Sequence, residues 1–227
     1  MVVEKIDIKT LFEPVCQIFH IPIATSKGWS SKLQRGEYAR RFKMAEGMGL
    51  ECVLLYCGDH DPDGLRISDA LRSNLDDLVD IRWSDGVTGY DPIDLNIDRF
   101  GLNFDFIEAN NLTWIDNLIT GAKQSCPICG KPKSLADPHH PNYHLPYVQD
   151  YLRDIGERKC EANALVVIPE QARELVRGAI EHYLGQDAEQ RFIDRWQVVS
   201  DEMGKLRDDT GVRESVEKAI RIIEERE

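Results

Sequence analysis

Long apolar runs are missing from this 227-residue sequence. The longest, Leu50 to Cys57, is interrupted by Glu51 and falls far short of the ~20 residues that span a bilayer. Positive charge is also scarce: 28 Lys and Arg face 40 Asp and Glu, a formal net charge of −12. That balance excludes a protein that coats nucleic acid with its whole surface, while leaving room for a local basic face. No charged-then-apolar leader opens the chain, so nothing points to secretion. Cysteines stand at 16, 52, 57, 126, 129 and 160, and of these Cys126 and Cys129 are spaced like ligands. The expectation is a reduced, cytoplasmic chain with no membrane span.

What is present is enough apolar residue, 42%, to bury a core. Short apolar runs alternate with amphipathic stretches over the first hundred residues. Strands are expected near Met1–Glu4, Ile21–Thr25, Cys52–Cys57 and Asp94–Leu102. Helices are expected over Thr10–His20, Ser30–Glu46 and Gly64–Leu78. Thr10 and Glu13 have the spacing of a capping box, with Pro14 in the first turn. This order predicts an α/β fold, a parallel sheet flanked by helices. The domain reading is an α/β core over 1–105 and an extension over 106–185 that contains a Cys/His insertion (121–146). A helical segment over 186–227 completes it. That last segment carries Phe192, Ile193, Trp196 and Val199, then Val216, Ala219, Ile220 and Ile223, at helical spacing. Such stripes suit packing back onto the domain or a homodimer.

Three stretches carry chemistry. Gly58-Asp59-His60-Asp61-Pro62-Asp63-Gly64 follows a buried strand, and in open parallel sheets function gathers at the carboxyl ends of strands. Neighbouring carboxylates there repel unless a proton or cation intervenes, and Mg²⁺ prefers hard oxygen ligands. A sheet that sets strands one and three side by side would bring Glu4 to Asp59 and Asp61; the bland alternative is a solvated acidic turn. Lys27, Lys32, Arg35, Arg40, Arg41 and Lys43 form a basic stretch with Gly28 and Trp29. It reads either as a nucleic-acid face, with Trp29 stacking on a base, or as an ordinary helix with solvated charges. Cys126-Pro-Ile-Cys129, with His140 and His144 downstream, has the form of a structural zinc site or of a plain loop.

A strand-end Glu followed by a D-x-D strand end resembles the Toprim signature of topoisomerases, bacterial primases, OLD-type nucleases and recombination mediators. The likeness is closest to the Toprim domain of the topoisomerase VI A subunit and its meiotic double-strand-break relatives. Its V-x-E-K segment resembles Val2-Val3-Glu4-Lys5, and its T-x-K-G turn resembles Thr25-Ser26-Lys27-Gly28. The D-x-D-P-x-G turn is Asp59 to Gly64, and an E-x-x-A-L segment before a Pro-led helix is Glu161 to Leu165 before Pro169. The resemblance implies a Rossmann-like Toprim fold with Mg²⁺ or Mn²⁺ on Glu4, Asp59 and Asp61, and Asp63 just outside. It implies DNA as partner and a part in phosphodiester cleavage and rejoining. In that family the attacking tyrosine lies in a winged-helix domain ahead of this one, and none of the seven tyrosines here matches it. A missing domain or a partner is therefore expected to supply it. The alternatives are a stand-alone metal-dependent nuclease and a non-catalytic scaffold.

Overall fold

A computed structural model describes residues 1–26, 32–84, 86, 89–119, 130 and 134–224. At its centre lie four parallel strands: β1 (Val2–Val3), β2 (Ala24–Thr25), β3 (Val53–Cys57) and β4 (Asn96–Gly101), in the order β2-β1-β3-β4. Parallel neighbours cannot be joined by tight turns. Helices make the crossings: α1 (Ile6–Ile18) from β1 to β2, α2 (Lys32–Gly47) toward β3, and α3 (Ile67–Asp76) toward β4. This is the α/β arrangement expected from the alternating pattern, and it is compatible with a Rossmann-like fold.

Because successive strand residues face opposite sides, each sheet face has its own core. Val2, Leu54 and Tyr56 pack with Ala39 of α2, Leu71 and Leu75 of α3, and Leu78, Tyr90 and Leu95. Val3, Leu55 and Cys57 are buried on the other face. There α1 lies against β1 and β2, burying Ile8, Phe12, Val15 and Cys16, and Phe12 meets Phe100 at 6.0 Å. The crossing from β1 to β2 runs one way along the sheet, and those from β2 to β3 and β3 to β4 run the other. Under the right-handed crossover rule this puts α1 and the α2–α3 pair on opposite faces.

Helix α1 starts earlier than its sequence implies. It is capped at Lys5, so Thr10 is no N-cap, and its hydroxyl donates to the Ile6 carbonyl at 3.2 Å. Pro14 therefore sits inside the helix. It is tolerated because Thr10 and Pro14 both face solvent, where the carbonyl freed by the missing N–H meets water.

Beyond the sheet come α4 (Phe104–Ala109), α5 (Pro146–Asp154), a 3₁₀ segment Ala162–Val167 and α6 (Pro169–Leu184). A satellite core of Leu118, Leu135, Val148 and Tyr151 ties α5 to Leu118 and Leu135. The chain divides into two units, Met1–Ala179 and Ile180–Glu227. The second contains the end of α6, then α7 (Ala188–Asp209) and α8 (Val212–Glu224). Among the described residues no helix is long and apolar enough to cross a membrane.

Candidate functional site

Register places the acidic residues. Val3 pairs with Cys57, so β1 and β3 end side by side and the next residues, Glu4 and Gly58-Asp59, emerge together. The Glu4 amide donates to the Cys57 carbonyl at 3.0 Å, extending the ladder by one bond. In return the Asp59 amide donates to Glu4 Oε2 at 2.7 Å. Gly58 permits this approach: a Cβ there would lie 2.8 Å from Glu4 Oε2 and against the Tyr56 hydroxyl.

The turn that follows is held by its own carboxylates. Asp61 Oδ1 accepts from the Gly64 amide at 2.6 Å and closes the start of the 3₁₀ turn Gly64–Arg66. A side chain at Gly64 would strike the Asp59 carbonyl oxygen. Asp59 Oδ1 accepts from the Ala162 amide at 2.7 Å. Each of the three carboxylates thus has one oxygen fixed by a main-chain N–H, and the second oxygen of each lies outside those bonds.

Burial is the main electrostatic fact here. Asp59 and Asp61 are 8% and 7% exposed. Burial, with the neighbouring Asp59 and Asp63 charges, pushes the Asp61 carboxyl above its ordinary value despite the Gly64 bond. Burial also pushes Glu4 up, reinforced by the charges of Asp59 and Asp61 against the bond from the Asp59 amide.

Groups that sequence reasoning gave no role complete the site. Lys5 Nζ stands 3.2 Å from Asp59 Oδ1, 3.0 Å from Glu161 Oε2 and 3.3 Å from Asn163 Oδ1. Glu161 Oε1 in turn pairs with the buried Lys159 at 3.2 Å. The 159–163 segment reaches the turn through a two-residue antiparallel bridge, in which the amides and carbonyls of His60 and Cys160 exchange bonds of 2.7 and 3.1 Å. Arg99, near the end of β4, donates to the carbonyls of Gly64, Asp59 and Leu102 at 3.1, 3.0 and 2.8 Å, pinning the acidic turn from beneath. The signals available were an Arg in a strand core, the Lys beside Glu4, and Glu161 within a motif already noted.

His60 is buried, and its Nε2 has no hydrogen-bond partner among the described residues. Its Nδ1 donates to the Leu102 carbonyl at 2.9 Å, and its ring lies among Phe104, Trp114 and Tyr151. Burial pulls its pKa down, so the imidazole is neutral and structural. Asp63 is exposed and accepts from the Tyr147 hydroxyl at 3.0 Å, while the Arg66 guanidinium covers the Tyr147 ring at 4.9 Å.

The expected basic stretch falls only partly within the described residues. Lys27, Gly28 and Trp29 lie outside the described residues; Ser26, just after β2, donates its Oγ to the Glu4 carbonyl at 3.3 Å. Lys32, Arg40 and Arg41 are exposed on α2. Arg35 is not on that face: it is 6% exposed and donates to the Asn74 carbonyl and Oδ1, both at 2.9 Å. It ties α2 to α3 instead of meeting a nucleic acid. Cys126 and Cys129 also lie outside the described residues. Of the histidines expected beside them, His140 accepts the Asn142 amide on Nδ1 at 3.0 Å and His144 stacks edge-on with Tyr143 at 5.0 Å.

Among the described residues no group of three His, Cys, Asp or Glu is placed to hold a metal ion. Mg²⁺ needs less than a cage: it keeps several waters and binds through one or two carboxylates plus substrate phosphates. Two such carboxylates, Glu4 and Asp61, keep an oxygen outside their main-chain bonds, and the Lys5 ammonium stands beside the third, Asp59. No family model, curated protein or solved structure matches the chain.

Proposed function

We propose that this chain is a Toprim-like module that engages a nucleic-acid phosphate through a divalent cation, Mg²⁺ or Mn²⁺. In this reading it resembles the topoisomerase VI A subunit and assists phosphodiester cleavage and rejoining by a tyrosine from another domain or a partner. One observation carries it: carboxylates from two adjacent parallel strand ends converge, each anchored by a main-chain N–H and each keeping an oxygen for a ligand. Asp61 and Glu4 would hold the ion, and Asp59 would share it. When bound, the ion would neutralise charge that builds on the phosphate oxygens.

The chain's own residues do the preparatory part. Arg99 and Gly64 keep the turn tight, so the carboxylates reorganise little when a ligand arrives. The raised pKa values of Glu4 and Asp61 express the same fact, since crowded buried anions await a counter-charge. Exposed Lys32, Arg40 and Arg41 offer the adjoining stretch of backbone a positive surface.

Calorimetric titration of the whole chain with Mg²⁺ and Mn²⁺ tests this. Binding that is lost in Asp61→Asn, together with cation-dependent retention of duplex DNA, is the expected result. Absence of cation binding in the wild type would overturn the reading. Nicking of supercoiled plasmid by the chain alone, abolished by Asp59→Ala, would move it to the stand-alone nuclease.

A further inference from the structure

The acidic cluster contains its own cation. Lys5 Nζ has a carboxylate on either side, Asp59 Oδ1 at 3.2 Å and Glu161 Oε2 at 3.0 Å, with the Asn163 amide oxygen at 3.3 Å as a third acceptor. Three acceptors match the three N–H bonds of an ammonium. We infer that Lys5 is a placeholder: it neutralises Asp59 while no divalent ion is bound, and it gives up that carboxylate to the ion by withdrawing onto Glu161 and Asn163. The inference rests on the functional reading above and adds the residue that sets its affinity for the cation.

The partition of contacts supports a displaceable role. Asp59 Oδ1 is already held by the Ala162 amide at 2.7 Å, so losing Lys5 would not leave that oxygen unpaired. Glu161 is anchored from its far side by Lys159, whose ammonium is itself fixed by the Ile119 carbonyl at 2.9 Å. Glu161 is thus a stationary retaining arm and does not follow Lys5. The Lys5 side chain is 27% exposed, enough freedom to shift between its partners without unfolding the site. Here each carboxylate keeps a second contact.

A placeholder competes with what it stands in for. Mn²⁺ affinity, read as the loss of the free-ion paramagnetic signal during titration of the intact chain, should therefore rise when the charge is removed. Lys5→Met is expected to tighten Mn²⁺ binding roughly tenfold, the scale of one nearby unit charge. Lys5→Gln, which keeps hydrogen bonding without charge, is expected to move in the same direction. Lys5→Arg, which keeps the charge, should stay within about twofold of wild type. Equal or weaker binding in both neutral variants, with a wild-type circular dichroism spectrum, would overturn the inference while leaving the functional reading intact. Should wild type, both neutral variants and Asp61→Asn all fail to bind Mn²⁺, the functional reading itself falls and the placeholder with it.

Discussion

The two units of this chain differ in what they bury. In Met1–Ala179 polar groups go inside: Arg35, Asp59, His60, Asp61 and Lys159 are all buried. In Ile180–Glu227 most large apolar groups stay outside: Trp196 is 64% exposed, Met203 and Ile223 61%, and α8 buries no residue. A buried polar group is costly unless its partners are in place, so the first unit can hold its acidic turn only as a completed network. The second unit's helices rest on neighbours in sequence, such as Arg213 with Glu217 at 3.1 Å and Gln197 with Asp201 at 2.8 Å. Each such pair contributes about 0.2–0.5 kcal/mol. Rigidity, and with it a candidate site, belongs to the unit whose interactions are long-range.

The sharpest way to break that contrast is to remove one large apolar side chain from each unit. Leu75 is fully buried between α3 and the sheet, and Leu75→Ala is expected to destabilise the chain by about 2–5 kcal/mol in urea unfolding. Trp196→Ala, though it deletes a larger side chain, should change stability by no more than about 0.5 kcal/mol. A comparable loss at Trp196 would mean that α7 is covered in solution.

The same change at two glycines should give opposite signs. At Gly64 a Cβ runs into the Asp59 carbonyl, so Gly64→Ala must open the turn, at a cost of about 1–3 kcal/mol and with loss of cation binding. At Gly204, within α7, a Cβ meets nothing within 4 Å. Gly204→Ala should therefore stabilise its helix by about 0.5–1 kcal/mol, seen as increased helical ellipticity on mild heating. A stabilising Gly64→Ala would show that the turn is looser than its hydrogen bonds require.

The contrast also explains what could be read from the sequence. The run Val53–Cys57 shows its burial in its composition, and the acidic turn after it shows its place at a strand end. Glu4 could join that turn only through the strand order, which an α/β alternation makes natural. Lys5 and Glu161 were out of reach because they meet across 156 positions. Arg35 misled for a related reason: the buried stripe of α2 is Arg35, Gly36 and Ala39, too small to announce itself as apolar. A long side chain fills that space and carries its charge to Asn74, whereas by composition it belongs with Lys32 and Arg40. Local pattern reported most elements, and it missed partners fixed by packing such as Lys5 with Glu161 and Arg35 with Asn74.

The acidic turn should also set the pH dependence of the α/β unit. Burial raises Asp61 and Glu4 in the folded chain above their unfolded values. The folded state therefore binds their protons more tightly, and the stability they contribute is lost as pH rises from the ordinary carboxylate range, about 4, through the raised folded values. Asp61→Asn keeps an oxygen for the Gly64 amide and removes the charge. At pH 7 it should melt above wild type, by ~2–4 °C for each ~1 kcal/mol relieved, with the gap closing toward pH 4. Glu161 runs the other way: its bonds to Lys5 and then Lys159 lower it, so its contribution is present above the unfolded value and lost as pH falls through the depressed one. Glu161→Gln should accordingly melt below wild type at pH 7 and approach it in acid. Saturating Mn²⁺ should reverse the first ordering, because the ion stabilises only the chain that binds it. An Asp61→Asn advantage that survives Mn²⁺ would show that the buried charge has no ligand to answer it.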